Sequence, residues 1–102
     1  MAKPIYKLVL IRSFTEAYFQ LSEDERAAFW SRVRDGANNV GATFITAVYD
    51  CRWSNDTYSA FGIMEYPSAE AMITETAELE RTDFFRYVVS ETILGSPQEV
   101  QE

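Results

Sequence analysis

The sequence predicts a single α+β domain. Three observations predict it. Short β-branched and aromatic runs read as strands, two segments carry apolar residues at helical spacing, and the two kinds alternate along the chain. The 102 residues make one domain's worth of chain, and 47% of them are hydrophobic, enough to bury a core. A domain this small stays marginal unless it also buries area against a partner.

The first strand is "IYKLVLIR", Ile5 to Arg12. A connection, "SFTEAYFQ", follows with Phe14, Tyr18 and Phe19. Aromatics in a connection cover something, either a site or the end of the domain's own core. "LSEDERAAFWSRVRDGANNVG" is the clearest helix. Ser22 with Glu25 three residues later forms a capping box, and the acids of the first turn suit the helix dipole. Phe29, Val33, Ala37 and Val40 recur at helical spacing beside Trp30, and Gly41 suits a C-terminal cap. "ATFITAVYDCRW" and "TYSAFGIMEY" read as two strands around the turn "SND". "PSAEAMITETAELER" is a second helix, capped by Ser68, with an apolar stripe of Ala69, Met72, Ile73, Thr76 and Leu79. "TDFFRY" is a turn of helix or a bridge, "YVVSETILG" is the last strand, and residues 95–102 form a polar tail after a Gly-Ser-Pro stop. The order β-α-β-β-α-β is the ferredoxin-like plan: a four-stranded antiparallel sheet with both helices on one face. The other sheet face is then open. If it is apolar it needs a partner.

Alternation sorts the middle strands. With the turn centred on Asn55 and Asp56, Trp53 lies opposite Tyr58, Asp50 opposite Phe61, and Thr46 opposite Glu65. One face then collects Ile45, Ala47, Tyr49, Cys51, Trp53, Tyr58, Ala60, Gly62, Met64 and Tyr66. It is uncharged, small at its centre, and suited to the helices, with Tyr49 covering Gly62. The other face collects Asp50, Arg52, Phe61, Ile63 and Glu65, a mixture suited to a pocket lining. A one-residue change in the loop would break this sorting. On the first strand, sending Val9 and Ile11 to the helices sends Tyr6 and Arg12 to the open face and Lys7 to the helix side. The last strand has no phase legible from sequence.

Composition excludes several functions. A net charge of −7 disfavours nucleic acid and anionic membrane surfaces. The chain has no histidine, which removes the usual base near neutral pH, the commonest metal ligand and the usual haem ligand. No carboxylate loop suggests a metal site, and the reading carries neither metal nor cofactor. Cys51 is alone, so no intrachain disulfide forms, and it reads as a small buried hydrophobe rather than a reactive thiol. The N-terminal run is interrupted by Lys7 and Arg12 and does not read as a signal peptide. No run of ~18 apolar residues suggests a membrane span, and the expected location is the cytoplasm.

The element order, with "FGIMEYPSAEAM" in the form aromatic-x-x-x-Glu-aromatic before a Ser-capped helix, resembles the dimeric α/β-barrel superfamily. Antibiotic-biosynthesis monooxygenase-like proteins and small stress-response barrels share this outline. "FQLSEDERAAFW" and "FFRYVVSETILGSPQEV" resemble a family of small bacterial proteins of unknown function. The resemblance implies a homodimer whose two sheets pack face to face, with a pocket between the open sheet face and the helices or loops that cap it. Such families include cofactor-free oxygenases, isomerases, lactone-forming enzymes, polyketide cyclases, haem enzymes and proteins with no known chemistry. The absent histidine departs from the haem-using branch and from members that use a histidine base.

Two functions of different class follow, with a third beside them. The first is a cofactor- and metal-independent enzyme of cyclase, isomerase or oxygenase type, acting on an aromatic or polyketide-like substrate. Glu65 and Asp50 are its candidate acid and base, because an apolar surrounding raises a carboxylate's pKa toward neutrality. Arg12 or Arg52 would stabilise a developing oxyanion. Tyr18, Tyr58 or Tyr87 would donate a hydrogen bond, and Tyr6, Phe61 and Ile63 would line the pocket. The second is a non-catalytic, stress-associated dimer that sequesters a small hydrophobic molecule. The third is a partner-binding module with a filled barrel. For the charges themselves the bland alternative is ion pairing at the solvent end or at the dimer interface.

Overall fold

The computed structural model describes residues 3–98. Residues 99–102 of the expected tail lie outside the described residues. The chain runs β1 (Ile5–Phe14), α1 (Glu16–Phe19), α2 (Glu23–Asn39), β2 (Thr43–Phe44), β3 (Tyr49–Asp50), β4 (Ala60–Tyr66), α3 (Ala69–Arg81), α4 (Phe84–Tyr87) and β5 (Val88–Gly95). The sheet is open and antiparallel, in the order β2-β4-β1-β5, with β3 also paired to β4. This α+β arrangement is compatible with the ferredoxin-like plan. No helix among the described residues is long and apolar enough to cross a membrane.

Local chemistry sets the helix ends. Ser22 and Glu25 complete both halves of the capping box of α2. At its other end the Gly41 N–H donates to the Asn38 carbonyl and the Ala42 N–H to the Ala37 carbonyl. Gly41 takes a φ of 78°, the left-handed conformation such a cap requires. Thr15 caps α1 by accepting from the Tyr18 N–H, so part of the expected connection is one helical turn. Ser68 caps α3 by accepting from the Ala71 N–H.

The expected hairpin is present only in outline. Its first strand is broken into β2 and β3, each two residues long. Between them the Thr46 hydroxyl accepts from the Ile63 N–H at 2.9 Å and donates to the Ala47 carbonyl at 2.8 Å. A side chain thereby takes a place in the ladder that backbone would fill. Thr43, not Thr46, lies opposite Glu65, and Asp50 lies opposite Ala60, not Phe61. The one-residue slip at β3 exchanges faces. Tyr49 joins Phe61 on the open face, their ring centroids 5.3 Å apart. Gly62 is covered by Phe44 instead: a Cβ at that glycine would meet the Phe44 ring at 3.2 Å.

The other phases follow from the register. β4 turns Gly62, Met64 and Tyr66 inward, as expected, and Lys7, Val9 and Ile11 of β1 share that side. On β5 the helix side is Val88, Ser90, Thr92 and Leu94, and the open side Val89, Glu91 and Ile93. A bulge between Ile11 and Ser13 sits at Arg12. The helix-side core forms two clusters. One joins Phe29, Leu79, Phe84 and Val88, with Tyr18, Trp30 and Tyr87 packed against it. The other joins Ala37, Ala42, Met64 and Tyr66. The stripe of α3 differs from expectation at three positions. Ala69, expected inward, is exposed. Ile73 is 63% exposed, whereas Glu75 is buried.

Candidate functional site

Glu75 is buried because β1 supplies its counterion. Lys7 occupies the helix-facing side of an apolar strand and cannot reach water there. Its Nζ lies 3.0 Å from Glu75 Oε1, with side-chain exposures of 8% and 3%. The Tyr66 hydroxyl donates to the same Oε1 at 2.6 Å. The Lys7 ammonium also stands 5.0 Å from the centroid of the Tyr66 ring, a cation–π position. Burial, and then the neighbouring Glu75 carboxylate, push the Tyr66 hydroxyl's pKa well above its ordinary value.

This polar group borders a cavity of about 570 Å³ between the sheet and the helices. Val9, Ile11, Met64 and Thr92 form its sheet side, and Val33, Met72 and Leu79 of α2 and α3 its helix side. Phe44, Phe85 and Leu94 also line it and are each about half exposed, so the space reaches the surface. Its size and apolar walls match those of small-molecule sites. Both hydrogen bonds to Glu75 fall on Oε1. Every fully enclosed side-chain nitrogen or oxygen among the described residues has a partner. Oε2, which accepts from none of them, is therefore not fully enclosed, and Glu75 is among the residues that line the cavity. Lys7 spends one of its three donors on Glu75. The cavity thus presents an unspent acceptor beside unspent donors.

None of the side chains expected at the site lines this cavity. They fall instead into separate groups. Tyr6 donates to Glu65 Oε2 at 2.7 Å on the open face. Arg12 and Tyr58 meet through Glu91, with Arg12 Nη1 3.1 Å from Oε1 and the Tyr58 hydroxyl on Oε2. Those carboxylates raise the pKa values of Tyr6 and Tyr58, chiefly through the hydrogen bonds. Asp50 and Arg52 pair with each other at 2.7 Å at the exposed end of β3, apart from Glu65 and Arg12. The Arg52 hydrogen bonds hold the Asp50 carboxyl down to about 2, the reverse of the raised value expected of a base in an apolar pocket. Phe61 and Ile63 lie on the open face as expected. Tyr18 and Tyr87 pack against the Phe29 cluster, and Tyr18 accepts from the Trp30 indole N–H at 2.9 Å. These aromatics seal the domain's own core. Cys51 is buried and its thiol donates to the Tyr58 carbonyl.

The missed residues carried a signal. Lys7 shares the phase of Val9 and Ile11, and a lysine facing a helix layer requires a counterion. Glu75 stands three residues after Met72 and four before Leu79, on the inward stripe. Among the described residues no group of three His, Cys, Asp or Glu could hold a metal ion.

No known family profile and no curated protein matches the chain. Solved structures do. A protein of unknown function from Rhodopseudomonas palustris superposes with a TM-score of 0.63 at 18% identity, over 98% of this chain and 86% of that one. A hypothetical Arabidopsis thaliana protein superposes with a TM-score of 0.63 at 15% identity, over 98% and 93%. At these identities the likeness is one of fold.

Proposed function

We propose that the protein binds a small, largely apolar molecule, aromatic or polyketide-like, in the cavity between the sheet and its helices. The observation that carries this reading is the pairing of an apolar space of about 570 Å³ with one buried charged pair whose hydrogen-bonding capacity is part-used. Apolar walls supply affinity, and a few placed polar groups supply orientation. The test is a titration with the neutral fluorophore N-phenyl-1-naphthylamine. Saturable binding with one site per chain is expected, and an unsaturable, linear rise in fluorescence would overturn the reading.

We place this site in a homodimer of the dimeric α/β-barrel type. The open face supports that placement. It carries Leu8, Leu10, Phe61, Ile63, Val89 and Ile93, with Ile93 60% exposed, and no element among the described residues covers it. The Tyr6–Glu65 and Arg12–Glu91–Tyr58 groups sit toward its two ends and suit a polar rim. Analytical ultracentrifugation at micromolar concentration should give twice the chain mass, and a monomer would contradict the dimer.

A second reading is cofactor- and metal-independent catalysis of cyclase, isomerase or oxygenase type. The free Oε2 of Glu75 favours it over simple sequestration, because storage of an apolar molecule has no use for an unspent carboxylate oxygen.

A further inference from the structure

We infer that Glu75 and Lys7 act together on an enolisable ketone bound in the cavity, Glu75 as general base and Lys7 as the donor to the enolate oxygen. The inference rests on the proposed binding site. A ketone presents a carbonyl oxygen one bond from the carbon whose neighbour bears the acidic hydrogens. The cavity presents the complement: ammonium donors of Lys7, and the open Oε2 of the carboxylate whose other oxygen lies 3.0 Å from that ammonium. A carbonyl accepting from Lys7 sets its α-C–H toward Oε2.

The proposed step balances without an oxidant or cofactor. The α-C–H bond breaks and the proton passes to Glu75 Oε2. The electron pair of that bond becomes the new C=C bond, and the carbonyl π pair moves onto oxygen, where the Lys7 N–H groups bond it. Lys7 and Tyr66 both donate to Oε1, which fixes the carboxylate in place and leaves Oε2 to meet the ligand. Charge that moves from carboxylate to enolate remains beside the same ammonium, in a site of low polarity where that interaction is strong. Reprotonation at the same carbon returns the ketone. Tyr66 is a positioning residue here, because it touches Glu75 rather than the ligand.

The probe is 2-tetralone, a bicyclic ketone small enough for the cavity, and the readout is deuterium exchange at its α-carbons, followed by NMR in D2O. The wild-type chain should accelerate exchange by roughly 10²-fold or more over buffer, the low end of what a positioned base supplies. Glu75→Gln should return the rate to buffer while N-phenyl-1-naphthylamine still binds. Lys7→Met should lower the exchange rate far more than it lowers fluorophore binding. Should Glu75→Gln fail to fold, Thr92→Trp, which fills the cavity from the sheet edge, should abolish exchange in a folded chain. Exchange at the buffer rate with the fluorophore bound to the wild type overturns this assignment and leaves the binding function standing. Accelerated exchange that survives Glu75→Gln overturns it too. No fluorophore binding to the wild type overturns the binding function itself.

Discussion

The two faces of the sheet carry the same chemical pair in opposite settings. On the helix side Tyr66 donates to Glu75 at 2.6 Å, and on the open side Tyr6 donates to Glu65 at 2.7 Å. The hydrogen bonds are nearly equal in length. The surroundings differ. Glu75 is buried and must be compensated by Lys7, whereas Glu65 is only half-buried and meets solvent. A bond's length does not tell its consequence; the desolvation of its partners does.

The largest expected effect breaks the buried member. Glu75→Ala leaves the Lys7 ammonium without its counterion and the Tyr66 hydroxyl without its carboxylate acceptor. It should cost about 3–5 kcal/mol in urea unfolding. Glu65→Ala should leave the urea midpoint unchanged at concentrations where the chain is monomeric, and a loss approaching that of Glu75→Ala would erase the distinction between the faces.

Tyr66→Phe comes next. It removes a hydrogen bond to a charged group and should cost about 1.5–3 kcal/mol near neutral pH. The same residue sets an alkaline limit. Its folded pKa is raised above the unfolded value of 10.0 by burial and by Glu75. Its contribution is therefore complete below pH 10 and is lost as pH rises beyond that, where only the unfolded chain ionises. Stability that falls above pH 10 in the wild type should fall less steeply in Tyr66→Phe. Tyrosinate absorbance should show one tyrosine that ionises only with unfolding.

The smallest effect belongs to Asp50. Its carboxyl is held to about 2 by Arg52, below the ordinary 3.8. The pair's contribution is present above pH 4 and lost as pH falls toward 2. Because both side chains are exposed, Asp50→Asn should leave the urea midpoint at pH 7 unchanged. Carboxyl NMR should nevertheless place the Asp50 titration well below that of the other acids.

The sequence made the fold legible where local chemistry decides it. The Ser22–Glu25 box, the Gly41 cap, the Ser68 cap and the inward set Gly62, Met64 and Tyr66 are all as their patterns predict. It misled where a single hydroxyl decides. Thr46 enters the ladder, breaks the strand and shifts Tyr49 and Asp50 to the faces opposite those expected. The site was less legible still. Charges stand among aromatics at Asp50, Arg52 and Glu65 of the hairpin, yet one exposed ion pair satisfies two of them. Alternation puts Lys7 on the helix side of β1, but the stripe expected for α3 leaves out Glu75, and the two residues lie 68 apart in the chain. Only the fold brings a strand lysine beneath a helix glutamate.

Adjacent residues of β5 offer the most direct test of which face binds. Thr92 lines the helix-side cavity and Ile93 points to the open face. N-phenyl-1-naphthylamine binding should be measured for Thr92→Trp and Ile93→Trp, one residue apart and bearing the same added side chain. A cavity beneath the helices predicts that Thr92→Trp loses the fluorophore while Ile93→Trp keeps one site per chain. Binding that survives Thr92→Trp and disappears in Ile93→Trp would put the site on the open face and contradict the account.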